Sequence, residues 1–202
     1  RLIFASSAAV YGPSEDPLKV IGEESTPQSP YAKTKLEGEQ IGKSMSCGET
    51  TVTSFRFFNV YGPGQPQDSP YAAVIPIFVN RLCNGDPIEI HGDGGQTRDF
   101  VHVSDVSRIL LRSATSIADE ENEVLNLGTG VGISILELAE TISEIVRQEG
   151  GPSEPKISFA QEREGDIRFS IADTSGLEKY SDKTEFIDFD EGIRDLVRES
   201  LR

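Results

Sequence analysis

Three short apolar runs, each closed at its carboxyl end by small or polar residues, set the strongest limit on what this chain can fold into. Leu2-Ile3-Phe4-Ala5 leads into Ser6-Ser7-Ala8-Ala9-Val10-Tyr11-Gly12, and the run over 51–58 leads into Asn59-Val60-Tyr61-Gly62-Pro63-Gly64. Val124-Leu125-Asn126-Leu127 leads into Gly128-Thr129-Gly130. Continuous apolar runs of this kind suit strands buried on both faces of a parallel sheet. A helix is expected between the first two runs, from Pro30 to about Ser46. Ser29 can cap it, and proline fits the first helical position. Strand, helix and strand make one crossover unit, for which the right-handed form is expected. Open sheets of this type bind ligands beyond the carboxyl ends of their strands. The residues after each run are therefore the first candidates for function.

Tyr31 and Lys35 sit four positions apart at the start of that helix. Residues i and i+4 share a helix face, so a lysine ammonium would lie beside a phenol. A nearby cation favours the phenolate over a neutral phenol, whose ordinary pKa is about 10. The pair is thus a candidate general base. As an isolated spacing it also describes a solvated helix face. Gly38 and Gly42 continue the same stripe and suggest close approach by another backbone or helix, since glycine inside a helix otherwise costs about 1 kcal/mol.

Beyond Gln65 the pattern changes. A helix is expected from Pro76 through Leu82, then a short strand Ile88-Glu89-Ile90 and an extended stretch from Thr97 to Val103. Ser104 can cap a helix that buries Val106, Ile109, Leu110 and Ala114. Ser134, with Glu137 in capping-box position, opens a helix to 148 with Leu138, Ile142, Ile145 and Val146 inward. A last helix over about 191–201 buries Ile193, Leu196, Val197 and Leu201. Gly128-Thr129-Gly130-Val131-Gly132 has the look of a phosphate-cradling loop. It lacks the G-x-G-x-x-G spacing, because Ile133 occupies the last position, and it reads as a tight strand-to-helix turn.

The 202 residues carry 34 acids against 19 bases, a net charge of −15, which disfavours nucleic acid and anionic membranes as partners. No apolar run is long enough to span a membrane. Cys47 and Cys83 are far apart, so a reducing, cytoplasmic setting is expected rather than a disulfide framework or a zinc site. His91 and His102 have no ligand-like partners and read as structural. The chain begins at Arg1, inside an apolar run and without an initiator Met, and reads as a fragment of a longer protein.

Six stretches in order resemble the extended short-chain dehydrogenase/reductases, and within them the UDP-glucose 4-epimerases. They are Ser6-Ser7-Ala8-Ala9-Val10-Tyr11-Gly12, Pro30-Tyr31-Ala32-Lys33-Thr34-Lys35, Arg56-Phe57-Phe58-Asn59-Val60-Tyr61-Gly62-Pro63, Arg98-Asp99-Phe100-Val101-His102-Val103, Asn126-Leu127-Gly128-Thr129-Gly130 and Arg163-Glu164-Gly165-Asp166. The resemblance covers nearly the whole chain. The family's glycine-rich dinucleotide turn, which precedes the serine strand, is absent here.

The fold implied is α/β: the C-terminal part of a Rossmann-type doubly wound parallel sheet with a smaller mixed α/β substrate-binding domain. The expected division is 1–62 for the second half of the NAD-binding domain and 63–103 for a substrate-binding segment. Residues 104–130 would return to the Rossmann domain, and 131–202 would be mostly substrate-binding. The resemblance implies NAD as cofactor, a UDP-sugar as substrate and a homodimer. It implies Ser7, Tyr31 and Lys35 as catalytic residues, with Tyr31 the base and Lys35 the ribose-binding residue beside it. Ser6, Tyr31, Lys35 and Phe58 would contact the cofactor. Ser7, Asn59, Val74, the Ile90–His91 backbone, Arg98, Arg163 and Asp166 would contact the substrate, the two arginines through its diphosphate. The activity implied is redox-neutral inversion at C4 of a nucleotide sugar. A 4,6-dehydratase of this fold uses an acid and a base after the serine, and Ala8-Ala9 cannot transfer protons. A decarboxylase, a uronate epimerase or a non-catalytic binding module on this fold are the other readings.

Overall fold

In the first part of the chain the helix expected after Ser29 packs on a parallel sheet. The computed structural model describes residues 1–23, 27–45, 50–66, 73–116, 123–152, 156–163, 165–182 and 185–202. The expectations for Ser46, Cys47 and Glu164 lie outside these residues. Strand β1 (Leu2–Ser7) is followed by a single 3-10 turn (Ala8–Tyr11), the two-residue strand β2 (Leu18–Lys19) and helix α1 (Pro30–Met45). Then come β3 (Val52–Phe57), β4 (Asn59–Tyr61), α2 (Val74–Cys83), β5 (Ile88–His91), β6 (Thr97–His102) and α3 (Val103–Thr115). The chain ends with β7 (Glu123–Leu127), β8 (Gly132–Ser134), α4 (Ile135–Gln148), β9 (Ile157–Ala160), β10 (Phe169–Ala172) and α5 (Phe189–Ser200).

Two compact units emerge, each assembled from three separated stretches. The first comprises Arg1–Val60, Arg98–Gly132 and Ile167–Phe186; the second comprises Tyr61–Thr97, Ile133–Asp166 and Ile187–Arg202. Residues 98–103 and 167–186 thus fall in the first unit, where the expected division put the one within 63–103 and the other within 131–202.

In the first unit β1, β3 and β7 form a parallel sheet in that order. Side chains alternate across a strand. Phe55, Leu125 and Leu127 therefore face one way, into a cluster with Val101, Val106, Ile109, Leu177 and Tyr180. Ser6, Arg56 and Asn126 face the other way and stand in register, Ser6 opposite Arg56 and Arg56 opposite Asn126. Only β3 is buried along almost its whole length. Within this chain, Leu2 and Ala5 of β1 are exposed, and Ile3 and Phe4 are half-buried. The strand lies at the edge of the order β1-β3-β7, so a neighbouring strand covers it on one side only.

A second sheet in this unit runs β2-β10-β6-β4. Asp99 on β6 is fully buried. It accepts hydrogen bonds from the Thr129 N–H (2.8 Å), the Thr129 hydroxyl (2.8 Å), the Gly130 N–H (2.9 Å) and the Ala172 N–H (3.1 Å). A Cβ on Gly128 would lie 2.6 Å from the Asp99 carboxyl, so only glycine lets the turn close on it. The loop after β7 is therefore an anion cradle filled from within, in keeping with its reading as a turn. Burial pushes the Asp99 carboxyl above its ordinary value, and the bonds from Thr129, Ala172 and Gly130 oppose that rise.

In the second unit β5 and β9 pair in parallel. Helices α2, α4 and α5 pack on one another. They bury Ile75, Phe78, Val79 and Leu82 from α2, Leu138, Ile142, Ile145 and Val146 from α4, and Ile193 and Val197 from α5. Ser134 caps α4, its hydroxyl accepting from the Glu137 N–H at 3.1 Å. Among the described residues no helix is long and apolar enough to cross a membrane.

Several local expectations are corrected. Helix α2 starts at Val74, not Pro76. Proline is tolerated there because the first-turn N–H groups have no intrahelical acceptor. Asn59–Tyr61 is a short strand beside β6, not only a breaker. His102 rather than Ser104 caps α3, its Nδ1 accepting from the Ser104 N–H at 3.2 Å. Within α3 Ser113 is buried and Ala114 exposed. The mixed stretch 156–175 contributes two strands, one to each unit.

Asp99→Asn tests the filled cradle. An amide presents one oxygen where the carboxyl presents two, and two buried N–H groups lose their acceptor. At about 1–3 kcal/mol for each unsatisfied group, unfolding in urea should show a loss of at least about 2 kcal/mol. The wild type should also lose stability as pH rises from the ordinary carboxylate value to the raised one, because the folded state there holds the extra proton. The variant should lack that slope.

Candidate active site

Ser29 starts α1 as read from the sequence: its hydroxyl accepts from the Ala32 N–H at 3.0 Å, and Pro30 is the first helical residue. Tyr31 in the first turn is 55% exposed. One turn on, the Lys35 ammonium donates to the Ala5 carbonyl of β1 at 2.7 Å. It also lies 5.5 Å from the Phe4 ring centroid and 5.6 Å from that of Tyr31. Both rings are within cation–π range. Lys35 is thereby held at the carboxyl half of β1, two residues before Ser7. Ser7 caps the 3-10 turn: its hydroxyl accepts from the Ala9 N–H at 3.2 Å and keeps its own proton for another acceptor.

The helix approaches the strands through its glycines. A Cβ on Gly38 would lie 2.2 Å from the Phe4 ring, and one on Gly42 would lie 3.0 Å from Val52. The close approach expected at these glycines is made by strand side chains rather than by another backbone or helix. Between them, Glu39 points into the sheet and is buried. Arg56 of β3 grips it with two bonds, Nε to Oε1 at 2.9 Å and Nη2 to Oε2 at 2.7 Å. The Ser6 hydroxyl donates to the same Oε1. The Arg56 guanidinium lies 4.8 Å from the Tyr11 ring centroid, and the Tyr11 hydroxyl donates to Asn126 at 2.7 Å. Asn126 in turn donates to the Lys19 carbonyl at 2.7 Å and the Asp173 carbonyl at 3.1 Å.

The first unit thus brings together Ser6, Ser7, Tyr31 and Lys35 of the sequence-predicted set. Ser6 is buried with its hydroxyl on Glu39, leaving only its backbone for a ligand. Phe58, which follows β3, is 6% exposed and packs against Tyr11, with ring centroids 6.5 Å apart. Asn59 beside it is exposed. Arg98 on β6 is half-buried and donates to the Ile167 carbonyl.

The second unit holds the others. Val74 is the first residue of α2. The Ile90 side chain is in the core, and its backbone pairs with Phe159 of β9. His91 Nδ1 lies 3.1 Å from the Gln161 carbonyl. Arg163, two residues further, closes a turn in which its carbonyl accepts from the Asp166 N–H at 3.2 Å. Ile90, His91, Arg163 and Asp166 therefore lie at or just beyond the carboxyl ends of the β5–β9 pair. Reading the residues one by one missed Glu39 and gave Arg56 no role. A charge inside an otherwise apolar strand, with an acid on the glycine stripe of the preceding helix, was the available signal.

A tyrosine and a lysine near the carboxyl end of a parallel strand, on a helix seated by glycines, are the arrangement that the resemblance to the short-chain dehydrogenase/reductases led one to expect. The model of the NAD dependent epimerase/dehydratase family matches residues 1–128, and the chain belongs to that family. The chain is 38% identical to a solved UDP-N-acetylglucosamine 4-epimerase from Methanobrevibacter ruminantium in complex with UDP-N-acetylmuramic acid. That match has a TM-score of 0.86 and covers 97% of this chain and 61% of the other. A putative UDP-glucose 4-epimerase of Methanocaldococcus jannaschii is 34% identical over 98% of this chain and 62% of its own length. A UDP-N-acetyl-alpha-D-glucosaminuronate decarboxylase of Bacillus cytotoxicus is 36% identical over 72% and 46% respectively. The chain thus spans about half to three fifths of the curated relatives it matches. The fold is the Rossmann-type α/β fold of these nucleotide-sugar enzymes.

The glycine seat yields a graded prediction. Alanine at position 38 gains up to about 1 kcal/mol of helix propensity, but overpacking of this kind costs about 1–3 kcal/mol. Gly38→Ala should lower unfolding stability and shift the Phe4 ring from beneath Lys35. Gly42→Ala, with its looser contact at Val52, should be milder. Equal stability of both variants and wild type in urea would show that the helix does not sit this close.

Proposed function

We propose that the full-length protein binds NAD and inverts C4 of a UDP-hexose through a transient 4-keto sugar. The observation that carries this reading is the Lys35 ammonium, held between the Ala5 carbonyl and the Tyr31 ring at the end of the strand that bears Ser7. The residues here fit the nicotinamide end of a dinucleotide, with an exposed phenol and ammonium beside a strand terminus. They do not fit its pyrophosphate, because the glycine turn after β7 already holds Asp99.

Tyr31 takes the proton of the sugar 4-hydroxyl as the C4–H bond breaks. When bound, NAD supplies the acceptor and later the donor of that hydride. The 4-keto sugar turns within the site, so that hydride returns to its opposite face, and Tyr31 gives the proton back to the oxygen. No net oxidation results. Lys35 keeps positive charge beside the phenol, and the Ser7 hydroxyl donates a hydrogen bond to the sugar oxygen, keeping its proton. Arg98 and Arg163 are proposed as phosphate-binding groups, with Asn59, Val74, the Ile90–His91 backbone and Asp166 as further nucleotide contacts. Binding energy from the remote phosphates would orient the reacting carbon.

The decarboxylase among the relatives supports a second reading, removal of a uronate carboxyl after the same oxidation at C4. Dehydration is disfavoured by the residues after Ser7, since Ala8 and Ala9 of the 3-10 turn carry no acid or base.

In the full-length protein, Tyr31→Phe should lower turnover of UDP-glucose by the roughly 10²–10⁴-fold expected for general acid–base catalysis. Turnover within a few-fold of wild type would remove Tyr31 from the mechanism. Carbon dioxide release from UDP-glucuronate, without epimerised product, would favour the second reading. Arg98→Ala or Arg163→Ala should weaken UDP binding by about 1.5–3 kcal/mol in calorimetry, the range for hydrogen bonds to charged groups. Unchanged affinity with both replaced would refute the phosphate role.

A further inference from the structure

We propose that Glu39 is a positioning residue for the reaction, fixing where α1 stands on β1 and β3 and so where Tyr31 and Lys35 stand against Ser7. The proposal rests on the functional reading above. Glu39 follows Lys35 by four residues and Tyr31 by eight, on the same side of α1. At 1.5 Å per residue it lies about 12 Å along the axis from Tyr31.

The two glycines beside it permit contact but do not set register, because a bare helix face can slide along a strand. The Glu39 carboxylate cannot slide. Its two oxygens meet the two-pronged guanidinium of Arg56 in a bidentate pair, and one of them also accepts from Ser6. Planar forks of this kind impose direction as well as attraction.

Every partner in this cluster belongs to a segment that carries a candidate catalytic side chain or touches one. Glu39 is on the helix of Tyr31 and Lys35. Ser6 is the residue before Ser7 and stands opposite Arg56 in the sheet. The Arg56 guanidinium covers the ring of Tyr11, which ends the turn that Ser7 caps. One buried pair therefore ties the base helix to the serine turn.

Stability alone is a poor reason for such a pair. Paired charges in a protein interior can often be replaced by apolar residues of similar volume with no loss of stability. Glu39 is 5% exposed and Arg56 3%, so both are deep enough for that rule. What an apolar pair cannot reproduce is the angular and axial constraint.

The test uses the full-length protein loaded with NAD, with UDP-glucose as substrate. Glu39→Gln keeps the shape but turns an amide NH₂ toward the arginine. It should lower kcat at least tenfold while KM and UDP affinity stay within threefold, because α1 carries no proposed phosphate contact. Glu39→Asp, with its carboxylate one methylene short, should fall between. The double variant Glu39→Met with Arg56→Met should melt within a few degrees of wild type and be as slow as Glu39→Gln. A double variant that folds and turns over within threefold of wild type would overturn the proposal. So would one that cannot fold, since the pair would then serve stability rather than placement. A wild-type protein that neither binds UDP nor acts on UDP-glucose would instead count against the functional reading.

Discussion

A row of polar side chains crosses the parallel sheet near the carboxyl ends of its strands, and the architecture around the candidate site depends on it. Ser6, Arg56 and Asn126 stand side by side on β1, β3 and β7, on the face toward α1. Burying a guanidinium is unfavourable unless its charge and donors are matched. Here Glu39 supplies the charge and the Tyr11 ring a π-face, while Tyr11 and the Lys19 and Asp173 carbonyls satisfy Asn126. The row ties together α1, the strands β1, β2, β3 and β7, the 3-10 turn and the start of the segment after β10, which are distant in sequence. The other face of the same strands is apolar and packs in the ordinary way on α3 and the segment around Leu177 and Tyr180.

Asp99 plays a similar part on the second sheet of that unit. Backbone N–H groups at a glycine turn form a site for an anion. In many nucleotide-binding folds such a turn takes a phosphate; here a side-chain carboxyl takes it, and joins β6, the loop after β7, and β10. A turn that is filled internally can be short and close-packed, which is why Gly128 has no room for a Cβ.

The second unit is built on different terms. Its three helices interlock through aliphatic residues at helical spacing, and the β5–β9 pair is short. Charged groups there sit at the rim: Glu149, at the end of α4, accepts from Arg194 and Arg198 of α5 at 2.8 Å each. Arg198 and then Arg194 hold the Glu149 carboxyl below its ordinary value; Glu149 is half-buried and Arg198 exposed, and pairs that stand partly in water contribute little. The chain enters and leaves this unit repeatedly, at 60–61, 97–98, 132–133, 166–167 and 186–187.

Local information was enough for the helices and for β1, β3, β5, β6 and β7, but not for the short strands β2, β4, β8, β9 and β10. Ser29-Pro30 marked the start of α1, Ser134 the start of α4, and the aliphatic stripes of α4 and α5 named their buried faces, because caps and helical period act over a few residues. The Tyr31–Lys35 pair, the family motifs and the parallel crossover were legible for the same reason. What only tertiary structure decided was who meets whom. Ser6 reads as a strand-end serine until Glu39 arrives from α1, and Asp99 has no assigned role until Thr129, Gly130 and Ala172 converge on it. Composition records what a side chain prefers to touch. Whether a buried charge or polar group is matched is set by residues 30 to 115 positions away, and those meet only when the sheet is assembled.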